Sequence, residues 1–295
     1  MAPATSTAET RGIRKLKDIS GLLKTELPIA AGVCVIAGQL LALGGLPSPA
    51  EAALGFLTGF FISGSLMITN DYFDIEVDRV NHPERPLPSD RISRAEAIAL
   101  AALFTLAGLA CAAALGLPTL LIAAFMSVDG ILYNWKLKES GLPGNVMVAL
   151  PVALTFVAGG VSVGQWSSGL AWLFGALAFV FDLAEEIANG AMDAEGDRLR
   201  GSRSIAIVRG KKFALGISCL LYLVFIALSF LPYVLGWLGL VYLVLVIVTD
   251  LTVSYIVYRL MKSKTPQEGK QRTRQLYLTL LTFVIAFIAV RLLAL

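Results

Sequence analysis

The sequence predicts an all-α, polytopic membrane protein: nine transmembrane helices around a central cavity. Of the 295 residues, 57% are hydrophobic and only 15% are charged, and the mean hydropathy is +0.76. Soluble globular domains carry about 25% charged residues. The apolar residues also form continuous runs of about the 20 residues that a helix needs to cross a bilayer. Since these runs show no strand-like alternation, only a helical bundle can satisfy the backbone inside lipid.

The nine predicted helices follow one another along the whole chain. They span about 27–45, 52–69, 97–117, 119–133, 146–163, 170–187, 213–235, 239–258 and 276–295. Between the third and the fourth, only Gly116-Leu117-Pro118 marks a turn. Residues 1–25 are predicted to be a cytoplasmic tail with an interfacial segment, and residues 26–295 to form a single transmembrane domain.

The basic residues indicate which side of the membrane each connection faces. All lysines and arginines except Arg291 precede the first predicted helix or follow the second, fourth, sixth or eighth. By the positive-inside rule, the N-terminus and these loops are cytoplasmic and the C-terminus is outside. The net charge of +3 is too small to indicate a nucleic-acid partner, and no obligate protein partner is evident. The three cysteines lie in apolar runs without metal-binding spacing and are expected to be core residues.

One acidic segment contrasts with the apolar chain around it. It reads NDYFDIEVDRVNHPERPLPSD and covers Asn70–Asp90. Asn70, Asp74 and Asp78 recur at intervals of four, so on a helix they lie along one face. The segment follows the second predicted helix and is therefore expected at the cytoplasmic edge of the membrane.

A second acidic segment repeats this pattern after the sixth predicted helix. It reads NGAMDAEGDR and contributes Asn189, Asp193 and Asp197, followed by Arg198. Matching segments at matching positions predict two four-helix pseudo-repeats plus a final helix, with the two acidic faces meeting across the central cavity.

Clustered carboxylates at a membrane boundary need compensating positive charge, most simply divalent cations. Oxygen ligands without His or Cys fit Mg²⁺, which is usually shared between carboxylates and substrate phosphates. Several arginines are near enough in sequence to hold a phosphate or diphosphate: Arg79, Arg85, Arg198, Arg200 and Arg203. The alternative is a solvated helix end whose arginines serve topology only, and the matched pair of segments favours the binding site.

Both segments resemble the aspartate-rich signatures of the UbiA superfamily of intramembrane prenyltransferases. The resemblance implies that two Mg²⁺ ions bridge the aspartates to the diphosphate of a polyprenyl donor, whose prenyl group passes to a lipophilic acceptor. It implies these metal ligands, of which the aspartates are also catalytic: Asn70, Asp74, Asp78, Asn189, Asp193 and Asp197. It also assigns diphosphate binding to Arg85, Tyr133 and Lys136.

Metals and arginines would stabilise the charge that develops on the leaving diphosphate. Apolar walls would hold the isoprenoid tail and keep water from an allylic cation. Glu186 lies seven residues before Asp193, about 10 Å deeper along the helix. We expect Glu186 to deprotonate the acceptor as a general base, although a purely structural ion pair or helix contact would also explain it.

The acceptor is less sharply indicated. The spacing from Asp78 to Arg85 and the pair Glu186-Ile187 resemble the branch that acts on geranylgeranylglyceryl phosphate, and the spacing also resembles the chlorophyll-synthase branch. Asn189-Gly190 and Glu185 depart from the glycerol-phosphate pattern. We expect transfer of a geranylgeranyl group to geranylgeranylglyceryl phosphate in ether-lipid synthesis, with an aromatic or tetrapyrrole acceptor as the alternative.

Two other classes of membrane protein also use membrane-embedded acids. A cation transporter would place its acids at mid-membrane, where Asp129, Asp182 and Asp250 lie in or near apolar runs. The matched segments instead lie at the cytoplasmic edge, and these three aspartates are expected to be hydrogen-bonded between helices. A CDP-alcohol phosphotransferase would need a longer composite aspartate motif, which the sequence lacks.

Overall fold

The computed structural model describes residues 15–199 and 201–293, without the side chains of Asn81, Asp197 and Leu199. Residues 1–14 of the predicted tail therefore lie outside the described part of the structure. Regular structure in the described part of the chain is entirely helical, which confirms the all-α prediction. The helices are α1 (residues 15–23), α2 (Glu26–Leu43), α3 (Pro49–Phe73), α4 (Ile75–Asn81), α5 (Arg94–Leu115), α6 (Leu117–Leu132) with a π-helical turn (Tyr133–Leu137), α7 (Leu142–Ser162), α8 (Gly169–Leu199), α9 (Ile205–Arg209), α10 (Lys211–Ser229), α11 (Leu231–Val234), α12 (Leu240–Met261) and α13 (Pro266–Leu293).

Eight helical segments of the described chain are long and apolar enough to cross a membrane. They are α2, α3, α5, α6 with its π-helical turn, α7, α10 with α11, α12, and α13. The sixth predicted span coincides with α8, which is not among the eight. Its apolar half contains Asp182, Glu185 and Glu186, although its 31 residues would extend about 46 Å.

The predicted boundary between the third and fourth spans is confirmed. Gly116 ends α5 with φ 121°, a backbone conformation that favours glycine. Pro118 occupies the first turn of α6, where its missing N–H costs nothing. The same α5 and the preceding span α3 begin with reciprocal caps: Ser93 with Glu96 at α5, and Ser48 with Glu51 at α3.

The long helices pack in sequence order, and α13 returns to contact α2 and α8. The backbones of helices α2 and α7 lie very close together. A Cβ atom on Gly38 would lie 2.2 Å from the Phe156 carbonyl oxygen, and one on Gly159 would lie 2.2 Å from that of Val35. Small residues allow such contact between membrane helices, and here they bring two walls of the central cavity together.

Candidate active site

The first acidic segment lies where α3 gives way to α4. Asn70 is in the last turn of α3, Asp74 joins the two helices with φ −88° and ψ 1°, and Asp78 is in α4. The backbone hydrogen bonds between residues four apart continue from α3 through Asp74 into α4. The Asp74 amide donates to the Asn70 carbonyl at 3.0 Å, and the Asp78 amide donates to the Asp74 carbonyl at 2.8 Å.

Basic side chains neutralise this segment. Arg85 Nη1 lies 2.6 Å from Asp78 Oδ2 and 3.8 Å from Asp71 Oδ1. Asp71 is only 1% exposed, and Lys24 Nζ donates to its carboxylate at 2.7 Å. Asp71 falls outside the four-residue spacing, so no role was predicted for it. Its burial shows that the segment has an inner carboxylate whose charge is balanced by Lys24 and Arg85.

Of the two lysines that follow α6, Lys138 reaches the first segment, where it forms an ion pair with Asp74. The π-helical turn explains its position, since the Lys138 amide donates to the Tyr133 carbonyl at 2.9 Å, five residues back. Tyr133 lines the cavity, whereas Lys136 is exposed. The family resemblance assigned Lys136 to diphosphate binding, which stays a prediction, and the wide turn places Lys138 beside the aspartate.

The second acidic segment forms the last turns of α8. Asn189 is half-buried, and Asp193 Oδ1 lies 2.5 Å from Lys270 Nζ of α13. Asp197 belongs to α8, but its side chain lies outside the described part of the structure. Arg198 and Arg203 are exposed.

The loop after α8 and the loop after the π-helical turn touch each other. The Arg203 amide donates to the Glu139 carbonyl at 2.9 Å. Gly141, with φ 78°, approaches so closely that a Cβ atom would lie 2.2 Å from the Arg203 carbonyl oxygen. This contact holds the loop after α8 against the loop that carries Lys138.

A cavity of about 360 Å³ lies within the bundle, and Asn70 of the first acidic segment and Glu186, one turn before the second, are among the residues that line it. Helices α2, α3, α6, α7, α8 and α13 line it, and most of its wall is aliphatic or aromatic. Polar side chains line the remainder: Cys34, Ser63, Asn70, Tyr133, Asn134, Thr155, Asp182, Glu185, Glu186 and Tyr277. This volume is within the usual range for small-molecule sites, and an isoprenoid chain fits such a wall chemically.

Contacts across the cavity mouth connect the two acidic segments. Lys138, paired with Asp74, is close enough to Glu186 for their charges to interact. Glu186 also has Asn189 of the second segment within hydrogen-bonding reach. On the other side, Asn70 donates to Asn134 at 3.0 Å. Lys138 therefore lies between Asp74 of the first segment and Glu186, which precedes the second segment by one turn; the meeting of the two acidic faces themselves stays a prediction.

Arginine also fixes α4 against α5 outside the apolar helices. Arg94 Nη2 donates to Glu76 at 2.5 Å. This hydrogen bond, followed by the charge of Arg79, holds the pKa of Glu76 below its usual range. Because Glu76 stays ionised, α4 remains tied to the start of α5.

The three remaining aspartates have different surroundings. Asp250 Oδ2 accepts a hydrogen bond from Ser229 at 2.8 Å, as predicted. Asp129 is 7% exposed, and its Oδ2 has no partner among the described residues. Asp182 lies on the cavity wall, which makes it part of the candidate site.

A helical bundle with paired acidic segments at the mouth of an apolar cavity defines a class: intramembrane enzymes that act on lipophilic substrates with a charged end. The sequence matches the model of the UbiA prenyltransferase family over residues 31–292. The chain belongs to that family and is an integral membrane prenyltransferase.

Curated relatives and solved structures agree with this assignment. The chain is 35% identical over 260 residues to the digeranylgeranylglyceryl phosphate synthase of Pyrococcus abyssi, covering 88% of this chain and 92% of the relative. The synthase of the same name from Methanopyrus kandleri is 39% identical over 219 residues, covering 73% and 78%.

Among solved structures, one described for digeranylgeranylglyceryl phosphate synthase in membranes has a TM-score of 0.76 and 29% identity, over 94% of this chain and 98% of that one. A UbiA homologue from Archaeoglobus fulgidus, bound to GPP and Mg²⁺, has a TM-score of 0.63 and 21% identity, over 92% and 99%. At that identity the second structure supports the fold alone.

Proposed function

We propose that this protein transfers a geranylgeranyl group from its diphosphate to geranylgeranylglyceryl phosphate, in a reaction that depends on Mg²⁺. One observation carries the proposal: Asn70 of the first acidic segment and Glu186, just before the second, both line an apolar cavity, and Lys138, paired with Asp74, is within electrostatic range of Glu186. A charged diphosphate would bind at the mouth and its isoprenoid chain would lie inside. The names of the curated relatives support this donor and acceptor.

The residues at the mouth fit a pair of Mg²⁺ ions. The proposed ligands all offer oxygen atoms, namely Asn70, Asp74, Asp78, Asn189, Asp193 and Asp197. Among the described residues, no three Asp, Glu, His or Cys side chains converge to hold a metal by themselves. Such an arrangement suits Mg²⁺, which binds one or two carboxylates and completes its shell with substrate phosphates and water. When bound, the ions would neutralise the leaving diphosphate.

Cations of the chain would hold the diphosphate beside these ligands. Arg85 and Lys138 already lie against Asp78 and Asp74 and would turn to the phosphate oxygens once metal occupies the carboxylates. We also assign Tyr133, Lys136, Arg198 and Arg203 to diphosphate binding. Tyr133 lines the cavity and Arg203 lies on one of the two touching loops, which supports the assignment of these two residues.

The cavity wall would protect the prenyl group once its carbon–oxygen bond to the diphosphate breaks. Its apolar side chains exclude the water that would otherwise capture an allylic cation. Glu186 lines the cavity next to the second segment. We assign it the proton that the acceptor hydroxyl loses as its oxygen bonds to the prenyl carbon.

We further propose that α8 spans the membrane together with the eight apolar helices, giving nine. Its length and its contacts with α7, α10 and α13 support this proposal. Residues 26–295 would then form one domain of two four-helix repeats and a final helix. The distribution of basic residues supports cytoplasmic acidic segments and N-terminus, with the C-terminus outside.

Product analysis by mass tests the proposed function. Purified protein would be incubated with geranylgeranyl diphosphate, Mg²⁺ and separate acceptors: geranylgeranylglyceryl phosphate, a hydroxybenzoate and a chlorophyllide. We expect an ether product carrying two geranylgeranyl chains from the first acceptor alone, and none in excess EDTA. Prenylation of an aromatic or tetrapyrrole acceptor instead would refute the proposed acceptor but would leave the assignment as a prenyltransferase intact.

A further inference from the structure

The cytoplasmic end of α13 carries two basic residues on the face that continues into the cavity wall. Lys270, Arg274 and Tyr277 are spaced four and three residues apart, so they share one side of the helix. Tyr277 lines the cavity, as do residues further along α13 such as Leu281. The basic pair therefore lies at the rim of the cavity, on the helix that contacts the second acidic segment through Asp193.

The packing of α13 on α8 gives the depth of this pair. Lys270 contacts Asp193, and a Cβ atom on the preceding Gly269 would lie 2.0 Å from Met192 Sδ. Arg274, one turn later, interacts electrostatically with Glu185, which lies earlier in α8. The two helices therefore run antiparallel. Arg274 lies about 6 Å deeper than Lys270, towards the level at which Glu186 lines the cavity.

Both basic side chains are accessible, and each currently binds a carboxylate. Their exposed fractions are 54% for Lys270 and 50% for Arg274. Arg274 donates two hydrogen bonds to Glu26 at the start of α2, the longer of them 2.7 Å. Its guanidinium lies 5.2 Å from the ring centre of Tyr277. Arg274 is thus oriented towards the rim by an acid and an aromatic ring, without being buried by them.

The cavity itself offers no place for an anionic headgroup. None of the described residues that line it is Lys or Arg, whereas Asp182, Glu185 and Glu186 are acids. A phosphate would meet like charge there. In a glycerol phosphate lipid the reactive hydroxyl and the phosphate occupy adjacent carbons. The hydroxyl can therefore enter beside Glu186 only if the phosphate stays at a nearby cationic rim.

We propose, building on the proposed function, that Lys270 and Arg274 form a subsite for the phosphate monoester of the acceptor lipid. Metal binding at Asp193 would release Lys270 to the phosphate. Glu26 would give up the Arg274 guanidinium, whose planar N–H groups match two phosphate oxygens. The donor diphosphate would then bind cations of the first segment and the acceptor phosphate those of α13, which keeps the two anions apart.

Kinetics with two acceptors that differ only in the phosphate monoester test this subsite. Initial rates would be measured at saturating donor and Mg²⁺ for wild type, Arg274→Gln and Lys270→Gln. Arg272→Gln is the matched control, since it removes the same charge from α13 at a residue that pairs with Gln275. We expect Arg274→Gln to raise KM for the phosphorylated acceptor at least tenfold, with kcat and the donor KM within about twofold, as for loss of a charge-assisted hydrogen bond. Arg274→Lys should recover part of the effect.

The unphosphorylated acceptor separates binding from structure. Its KM should be the same in all variants, whereas a purely structural role for Arg274 would change both acceptors alike and overturn the subsite. Glu26→Gln should act in the opposite direction, lowering KM for the phosphorylated acceptor because it frees Arg274; an unchanged or higher KM would count against the proposal.

Vesicle composition distinguishes the acceptor phosphate from anionic bilayer lipid. The Arg274→Gln effect should persist in vesicles of neutral lipid, and its disappearance there would overturn the subsite in favour of a lipid contact. If wild type prenylates the phosphorylated acceptor but the variants match it, the subsite alone fails. If wild type prenylates only an acceptor of another class, the proposed function fails and the subsite with it.

Discussion

The guanidinium of Arg85 lies 2.6 Å from the carboxylate of Asp78. A residue proposed to bind the diphosphate therefore forms an ion pair with a residue proposed to bind Mg²⁺. Lys138 on Asp74 and Lys270 on Asp193 repeat the arrangement. Each cation balances a carboxylate that Mg²⁺ would otherwise neutralise. Binding of metal would therefore release positive side chains towards the incoming substrate phosphates.

Removing one carboxylate from either acidic segment should abolish most of the activity. We expect Asp74→Ala or Asp193→Ala to reduce prenyl transfer by roughly 100-fold or more, because each loses part of the stabilisation of the leaving diphosphate. Glu195→Ala, which removes an exposed acid from the same end of α8, is the control and should keep its activity. Circular dichroism should show unchanged helicity in all three variants. Full activity of either aspartate variant in excess EDTA would refute metal dependence.

The loops that carry the arginines should become ordered when donor binds. Residues 78–92 and 198–204 supply Arg85, Arg198 and Arg203, which we expect to close over the diphosphate. Hydrogen exchange should slow in both loops on addition of Mg²⁺ and a non-hydrolysable donor analogue. The connection between α12 and α13, residues 262–265, serves as an internal reference. Unaltered exchange in the two arginine loops would contradict the closure.

Replacing Glu186 should separate catalysis from donor binding. Glu186→Gln keeps the shape and removes the proton acceptor, so we expect a fall of roughly 100-fold in the single-turnover rate of transfer with little change in donor affinity. Rates would be compared with wild type between about pH 6 and 9, since the rate that a general base supports rises with pH until the base is fully deprotonated. Transfer at the wild-type rate throughout would show that Glu186 is not the base and would leave the metal-ion half of the mechanism standing.

The crossing of α2 and α7 should tolerate no side chain at Gly159. Gly159→Ala places a Cβ atom 2.2 Å from the Val35 carbonyl oxygen, and overpacking of this kind typically destabilises by about 1–3 kcal/mol. Gly216→Ala is the matched control, because a Cβ atom there meets nothing within 4 Å and alanine favours a helix. Thermal unfolding in detergent should show a lower Tm for the first variant only. Equal Tm values would mean that the helices separate without cost.

The sequence predicted the long helices well because lipid forces the backbone to satisfy itself within each apolar run. The boundary at Gly116 could also be predicted, because glycine and proline determine where a helix ends or begins through their own backbone conformations. Helix α8 was harder: its three cavity-facing acids reduce its apolar character while its length stays sufficient. Hydropathy reports the average around a helix, and α8 has one polar face.

The sequence indicated candidate site residues where they recur at the regular spacing of a helix. Asn70, Asp74 and Asp78 have the spacing of an α-helix. The contact of Lys138 with Asp74 was not predicted, because it depends on a π-helical turn that nothing in the local residue types signals. The pairing of Lys270 with Asp193 joins residues on different helices, so only the packing of α13 on α8 reveals it.

Counting bound metal ions tests the central claim most directly, that both acidic segments hold metal at one diphosphate site. Electron paramagnetic resonance would follow Mn²⁺ binding to the purified protein with a non-hydrolysable donor analogue. We predict two ions per chain for wild type, and one ion for each of Asp74→Ala and Asp193→Ala. Binding of two ions by both variants, or of none by wild type in the presence of the analogue, would contradict the account.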